Sequence, residues 1–559
     1  MIISQLSQVD HKPNRLLYEE AIASSLKDKV VFYESVNKRF VSLILENIAN
    51  DQKIEALALD LRLKASKEYE LDKSKTYFVK QNVITEVRNK VSDGKVHDHE
   101  KLRVDFERLL KEVIDKQASD IHIFVKPTRA YIMLREFGEL RHFRDYNVGY
   151  MHALVSAMYN DLGEEGSKDS EFSPYKIQET VIERFINHKK YRIRFASVNI
   201  VSSDSGANRS SISPYKVTLR ILPTDESNIK SFQMLGYRAN HIKRFEKMTM
   251  ASSGVVITSG SVNSGKSTTL SCIVEKIIAK YPYKHIISIE SPVEYFISAD
   301  TVAQHPVHTS ADMDEGVIEK SYKSAQNIAL RTDIDVAYLN EIRNIETAKF
   351  AQLIVQSGHL FLSTLHAQSA LNIINRLTAL GVERDVLCSP NFIQLLIHQS
   401  LLQKVCQHCA YDYQSYQSVA NDSQLMNRLN NMFERYGLSS IYKNSLRFRN
   451  NNGCQYCSKG IKGLTVAAEI VKPSGQLLEL IATKQQVEAY KYWRSTGELT
   501  LKEDGILKLL KGEVCPSSLE LKLGAIDELE MSDCFDADFF KSLLGSHLEE
   551  SQAKDLVLN

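Results

Sequence analysis

Gly260-Ser261-Val262-Asn263-Ser264-Gly265-Lys266-Ser267 fits the pattern G-x-x-x-x-G-K-[ST], the phosphate-binding P-loop. The apolar run Val255-Val256-Ile257-Thr258 precedes it and predicts a buried strand. Thr268 to Ile278 follows with helical spacing of apolar residues. Strand, glycine-rich loop and helix are the context the motif needs. Gly260 and Gly265 allow the tight turn that points backbone N–H groups at phosphate oxygens. The helix directs its positive end at the same anion. Lys266 reaches the β- and γ-phosphates, Ser267 can ligate Mg²⁺, and Thr268 opens the helix beside them. The pattern implies a nucleoside triphosphate and leaves its use open.

A chain of 559 residues is long enough for several domains. Its hydrophobic content of 43% and charged content of 25% are those of a globular protein. A formal net charge of +1 gives no global pull toward nucleic acid or anionic lipid. No basic patch interleaved with aromatics is apparent, so no nucleic-acid partner is expected. No run approaches the roughly 18 apolar residues of a membrane span. Gln5, Asp10 and His11 stand where a signal peptide would need an apolar core, so a cytoplasmic location is expected.

Outward from the P-loop, His285–Ile289 reads as a second strand and ends in Glu290-Ser291-Pro292-Val293-Glu294. Asp335–Leu339 reads as a third and ends in Asn340-Glu341-Ile342-Arg343. His359–Thr364 reads as a fourth, followed by Leu365-His366. Ligands bind at the carboxyl ends of strands in open α/β sheets. A strand-end acid there can hold the Mg²⁺ shell or orient water, and His366 can sense the γ-phosphate. Taken singly, a strand-end glutamate also fits a solvated cap of the next helix.

Upstream, Lys101–Gln117 predicts an amphipathic helix, with Leu102, Phe106, Leu109, Leu110, Val113 and Ile114 on one face. Ala118–Ile123, Ala130–Leu134, Tyr191–Phe195 and Lys216–Leu222 alternate as half-buried strands of an α+β domain. Ser202–Ser213 reads as a polar loop, Ser92-Asp93-Gly94 as a turn or linker, and Pro223–Asn228 as a linker. His122 fits either a packed strand histidine or a ligand. Residues 1–94 carry apolar patches, including Val30–Tyr33 and Phe40–Leu45, and no catalytic motif.

Cys406-Gln407-His408-Cys409 and Cys454-Gln455-Tyr456-Cys457 are two C-x-x-C pairs separated by 44 residues. Four thiolates complete a closed tetrahedral Zn²⁺ site with no position left for water, hence a structural one. His408 fits a turn residue better than a ligand. Cys272, Cys388, Cys515 and Cys534 lack a partner at metal spacing and read as packed thiols. Residues 513–559 hold eleven acidic and three basic residues, which fits a docking tail or a solvated helical cap.

Together these boxes resemble the secretion-superfamily traffic ATPases of type IV pilus assembly and type II secretion. The P-loop, Ile289–Tyr295 as the aspartate box, Leu330–Ala348 as the Walker B region and Gly358–His366 as the histidine box occur in order. Ala118–His122 and Arg135–Leu140 are similar to the family's N-terminal PAS-like domain. The resemblance covers roughly residues 100–515. It implies an α/β fold in which a PAS-like α+β domain precedes a RecA-like P-loop ATPase domain with a tetracysteine zinc subdomain. The domains expected are an accessory partner-docking region at 1–94, the PAS-like domain at 95–225 and the ATPase domain at 229–400. The zinc subdomain follows at 401–462, a C-terminal helical region at 463–512 and the acidic tail at 513–559.

It also implies that Glu290 activates water, with Glu294 as the second acid of its box. Glu341 takes the Walker B role, and His366 lies by the γ-phosphate. Arg194 and Arg220 close over the nucleotide, with Arg135 a weaker match. The implied protein is a homo-hexameric, Mg²⁺-dependent ATPase that drives pilus assembly. It is peripheral to the inner membrane through a platform protein. A type II secretion motor and a pilus retraction ATPase are the same-fold alternatives, and the cysteine quartet favours extension or secretion over retraction. Ser291 and Asn340 depart from the family's aspartate and glycine, which leaves a nucleotide-binding regulatory ring with little turnover as a further alternative.

Overall fold

Runs rich in Val, Ile, Leu, Phe and Tyr form the strands of three sheets. The structure is a computed structural model. It describes residues 2–3, 9, 13–18, 26, 29–35, 37–48, 51–69, 71, 73–84, 87, 99–164, 168, 171–202, 212–223, 231–291, 293–307, 315–420, 422–528 and 534–555. The turn at Ser92–Gly94, the linker at 224–228 and most of the serine-rich loop lie outside the described residues. The chain divides into two compact units, residues 1–108 with 149–157 and residues 109–148 with 158–559.

The first unit carries β1 (Ile2–Ile3), β2 (Pro13–Leu16), β3 (Val30–Ser35), β4 (Phe40–Leu45) and β5 (Ser74–Val79), in the order β1-β5-β4-β3-β2. Every residue of β3 and β4 is buried, because the sheet is covered on both faces. Val31, Tyr33, Val41 and Leu43 pack with Val83 and Ile84. The alternate residues Val30, Phe32, Phe40 and Ile44 pack on Ile54, Leu61 and Ala65 of α1 (Gln52–Tyr69). The two apolar patches of the sequence are thus one antiparallel pair with two cores. The predicted amphipathic helix is α2 (His99–Asp115).

In the second unit, β6 (Ala118–Val125), β7 (Ala130–Glu136), β8 (Glu139–Tyr146), β9 (Gln178–Ile186), β10 (Lys189–Asn199) and β11 (Tyr215–Pro223) form an antiparallel sheet. Its order is β8-β7-β6-β11-β10-β9. Ile121, Leu134, Ile193 and Leu219 are buried, whereas Arg194 and Arg220 stand opposite each other in register, with Asp120 opposite Arg220.

The third sheet holds β12 (Gly254–Ser259), β13 (Ile286–Glu290), β14 (Val302–Pro306), β15 (Val336–Leu339), β16 (Leu360–Leu365), β17 (Ile393–Val405) and β18 (Ile461–Val471). The order is β14-β13-β15-β16-β12-β17-β18, parallel except for the antiparallel pair β17–β18. Both faces are covered, as parallel sheets require. Val255 and Ile257 enter a core with Ile354 of α4 (Ile345–Gln356), which follows the α3 helix (Lys266–Lys280) in sequence. Val256 enters a second core with Leu270, Ile273 and Ile277 of α3.

β17 runs on to Val405 and β18 opens at Ile461, so the cysteine module is an excursion between two paired sheet strands. The sequence reading placed Gly463–Glu469 in a helical region. It is strand because β-branched Thr465, Val466, Ile470 and Val471 pair along β17. A third core joins Leu425, Leu429 and Met432 of α5 (Ser423–Arg435), Ile506 and Leu507 of α6 (Leu501–Leu510) and Leu519 of α7 (Pro516–Leu523). Leu543, Leu544 and Leu548 of α8 (Ala537–Asp555) complete it. The apolar face of the acidic tail is therefore packed into that core. No helix among the described residues is long and apolar enough to cross a membrane.

Candidate active site

The carboxyl ends of β12, β13, β15 and β16 gather the P-loop, Glu290, Glu341 and His366 on one edge of the sheet. Gly260 has φ +147° and Gly265 φ +83°, and a Cβ on Gly260 would lie 2.3 Å from the Gln399 carbonyl. Asn263, between them, also has positive φ, which asparagine tolerates. Helix α3 starts at Lys266, so its unpaired first-turn N–H groups face the loop. Lys266 Nζ donates to the carbonyls of Gly260 and Ser261 at 3.0 and 3.1 Å. Burial lowers its pKa, and the charges of Glu341 and Glu294 oppose that shift. Ser261 and Val262 form the exposed crest of the loop, and Ser267 sits in the first turn of α3. The Thr268 hydroxyl pairs with the Tyr295 hydroxyl at 2.7 Å, which ties the helix to the segment after β13.

Three residues that the sequence did not single out hold this loop. Gln399 Nε2 donates to the Ser264 carbonyl at 2.7 Å. Its Oε1 accepts from the Tyr237 hydroxyl at 2.6 Å and from Thr269 at 3.0 Å. His398 pairs with the Ser259 hydroxyl at 2.9 Å, and burial together with the Lys266 charge pushes its pKa down to about 4. No motif marks Gln399 and His398, because they meet the loop only through strand pairing of β17 with β12; Tyr237 comes from the segment before β12.

The two strand-end acids differ. Glu290 is buried, and its Oε1 accepts from Ser288 Oγ at 2.7 Å and from Gln304 Nε2 at 3.1 Å. Burial raises its pKa to about 7 against those hydrogen bonds. Glu341 pairs instead with basic side chains: His366 Nε2 lies 3.1 Å from Oε1, and Arg343 Nε donates to Oε2 at 2.7 Å. Glu294 is half-buried, and its charge acts on Lys266, Arg194 and Glu290. Asn340 is absent from the positive-φ residues, so it replaces glycine without strain, and its carbonyl accepts from Thr364 Oγ1 at 2.7 Å.

Arg194 is half-buried. Burial lowers its pKa, while Glu179 and Glu294 raise it, so its side chain is within electrostatic reach of the aspartate box. Arg220 Nε is ion-paired with Asp120 at 2.9 Å. Arg135 donates to the Gly138 carbonyl at 3.0 Å, closing its own hairpin turn. His122 pairs with Thr218 at 3.3 Å and is a packed strand histidine.

Residues 95–530 match the family described as type II/IV secretion system protein. The chain belongs to that family. The type IV pilus assembly ATPase PilB of Thermus thermophilus is 28% identical over 409 residues, which are 72% of this chain and 41% of that protein. The putative type II secretion system protein E of Escherichia coli K12 is 30% identical over 305 residues, 54% of this chain and 55% of that protein. The chain thus spans about half the length of these curated relatives. The Legionella pneumophila ATPase DotB matches in fold, with a TM-score of 0.51 at 18% identity over 75% of this chain and 95% of that one.

In this type II/IV secretion system protein the two C-x-x-C pairs converge. Cys406, Cys409, Cys454 and Cys457 place their sulfurs within 4.8 Å of one another. Cys406–Cys454, Cys409–Cys457 and Cys454–Cys457 are 3.8, 3.7 and 3.6 Å apart. Thiolates about 2.3 Å from a tetrahedral Zn²⁺ stand about 3.8 Å from each other, so the quartet fits that ion. The backbone N–H groups of Cys454 and Gly460 donate to Cys457 Sγ at 3.2 and 3.3 Å, as thiolate charge favours. His408 packs at a tilt against Tyr456 rather than joining the cluster.

Proposed function

We propose that this protein is an ATP-hydrolysing motor that powers type IV pilus assembly, working as a homo-hexamer at an inner-membrane platform protein. The observation that carries the reading is that the P-loop, Glu290 and the Glu341–His366 pair stand at the carboxyl ends of neighbouring strands, with the charges of Glu341 and Glu294 acting on Lys266. The P-loop N–H groups, Lys266 and Ser267 would bind the triphosphate, with Ser267 and Glu341 the residues for Mg²⁺, which supplies charge neutralisation on the phosphates. A water oxygen attacks the γ-phosphorus, the bond to the β–γ bridging oxygen breaks, and ADP and phosphate leave. Glu290 takes the water's proton: a carboxylate near neutrality is matched to that task. His366, held by Glu341, and Arg194, in electrostatic reach of Glu294, would respond to the γ-phosphate and shift the balance between open and closed states. We read the six-stranded sheet as the PAS-like domain and the cysteine quartet as a structural Zn²⁺ site. Relatives named for pilus assembly and for type II secretion both match; the cysteine quartet favours extension or secretion over retraction, and the PilB match, over 72% of this chain, supports assembly.

The test is Mg²⁺-dependent ATP turnover by the purified protein beside Lys266→Ala and Glu341→Gln. Turnover abolished by both changes is expected. Nucleotide binding without turnover in the parent, even with membranes bearing its platform, would overturn the motor.

A further inference from the structure

The β7–β8 hairpin turns at Phe137 and Gly138, both with positive φ. The acids on either side of that turn face the cysteine module. Glu139 receives the forked guanidinium of Arg449, Nη1 on Oε1 and Nη2 on Oε2. Arg141 donates to Glu139 Oε2 at 2.7 Å, and Gln403 Nε2 donates to the Phe137 carbonyl at 2.9 Å. Glu136 accepts from Ser458 Oγ at 2.6 Å and from Arg141 at 3.1 Å. The side chains of Glu136, Arg141 and Arg449 are only 10%, 11% and 17% exposed, so these are not solvent-screened surface pairs. Burial opposes ionisation of Glu139, yet the two arginines hold its pKa down at about 2.

The receptor side of this contact is shaped by the sulfurs. Ser458 follows Cys457 directly, and Arg449 Nε donates to the Lys459 carbonyl at 2.9 Å. The 457–460 loop curls back through positive φ at Lys459 and Gly460, where a Cβ on Gly460 would meet the Asn450 carbonyl at 2.4 Å. Gly460 donates its N–H to Cys457 Sγ and accepts from the N–H of Cys406 at 2.9 Å. Two ligand cysteines therefore set the loop that presents Ser458 and the Arg449 partner. The far side of the hairpin turn neighbours a wall residue of the P-loop cavity. A Cβ on Gly138 would lie 4.0 Å from Lys522 Nζ, and Lys522 lines a cavity of about 450 Å³ with Gly260, Ser261 and His366.

We infer that the β7–β8 hairpin is a metal-dependent latch: metal held by the four cysteines fixes the 457–460 loop, which through Ser458 and Arg449 docks Glu136 and Glu139 and so seats the hairpin turn beside Lys522, a wall residue of the P-loop cavity. This rests on the zinc reading above. Coupling of this kind is reciprocal, so docking strengthens metal binding as metal strengthens docking.

The test is amide hydrogen exchange on the full chain, zinc-loaded and after a zinc-selective chelator. Peptides covering 130–146 should exchange at least about tenfold faster without metal, while those of α3 stay unchanged. In the second arm, Glu139→Gln, which touches no cysteine, should weaken zinc retention at least about threefold in chelator competition, and Ser458→Ala serves if that variant misfolds. Cobalt(II) substitution separates the two ideas. No thiolate-to-cobalt absorption band sinks the metal reading and the latch with it. A band, with hairpin exchange indifferent to metal removal, overturns the latch alone.

Discussion

The ends of β13 and β15 carry one glutamate each, a strand apart, and the protein treats them in opposite ways. Glu290 is 2% exposed and is held by neutral donors, a serine hydroxyl and a glutamine amide. Glu341 has a side chain 17% exposed and is held by Arg343 and His366, themselves 67% and 53% exposed. Neutral donors in a buried site leave a carboxylate's charge only partly compensated, so it titrates near neutrality. Glu341 instead meets a guanidinium and an imidazole in a more open setting, a geometry that suits a fixed electrostatic role. The same residue type is thus given two settings by its surroundings, one buried among neutral donors and one paired with basic side chains.

The sharpest way to break that division is to neutralise each acid. Glu290→Gln and Glu341→Gln should each lower kcat for ATP by about 10²–10³-fold, with ATP affinity changed only a few-fold. A Glu290→Gln enzyme that keeps its rate removes the proton-acceptor role. The same change tests the electrostatics through stability. A carboxyl whose folded pKa is about 7 against 4.5 unfolded costs nothing below 4.5 and destabilises as pH rises through 7. Glu290→Gln should therefore gain on the order of 3 kcal/mol in denaturant unfolding at pH 8 and nothing at pH 4. His366→Ala should cost about tenfold in kcat, because the Glu341–His366 contact is lost while the acid keeps Arg343. Ser288→Ala removes a donor to Glu290 and should move the acidic limb of the kcat/KM profile upward by about half a pH unit. Arg343→Ala should be the smallest effect, about twofold in kcat, since that side chain is largely solvated and screened.

What could be read from the sequence was what is local. The P-loop, the strand-end acids and the paired cysteines each announce themselves within a few residues, and the four predicted strands around the P-loop are present as β12, β13, β15 and β16. The remainder depends on strands meeting across long separations. Gln399 and His398 look like ordinary strand residues until β17 is laid beside β12. Strands β1 and β5 pair across some seventy residues with no pattern linking Ile2 to Phe78. The strand β14 is a short, largely exposed edge with no alternation to mark it. Leu543, Leu544 and Leu548 sit in an acidic segment whose charge hides a buried face. For Arg220, its expected approach to the nucleotide competes with the Asp120 carboxylate beside it, a contact set by the β6–β11 register.

The bond from Gln399 to the Ser264 carbonyl spans 135 residues. Seen from the ribosome, this orders events in time. The strand and loop of the P-loop motif are made well before the strand that braces them. A nascent chain that has reached α4 already contains the whole P-loop, yet neither the amide of Gln399 nor the imidazole of His398 has been synthesised. The bracing of the loop is thus something the growing polypeptide acquires late, when β17 enters the sheet beside β12.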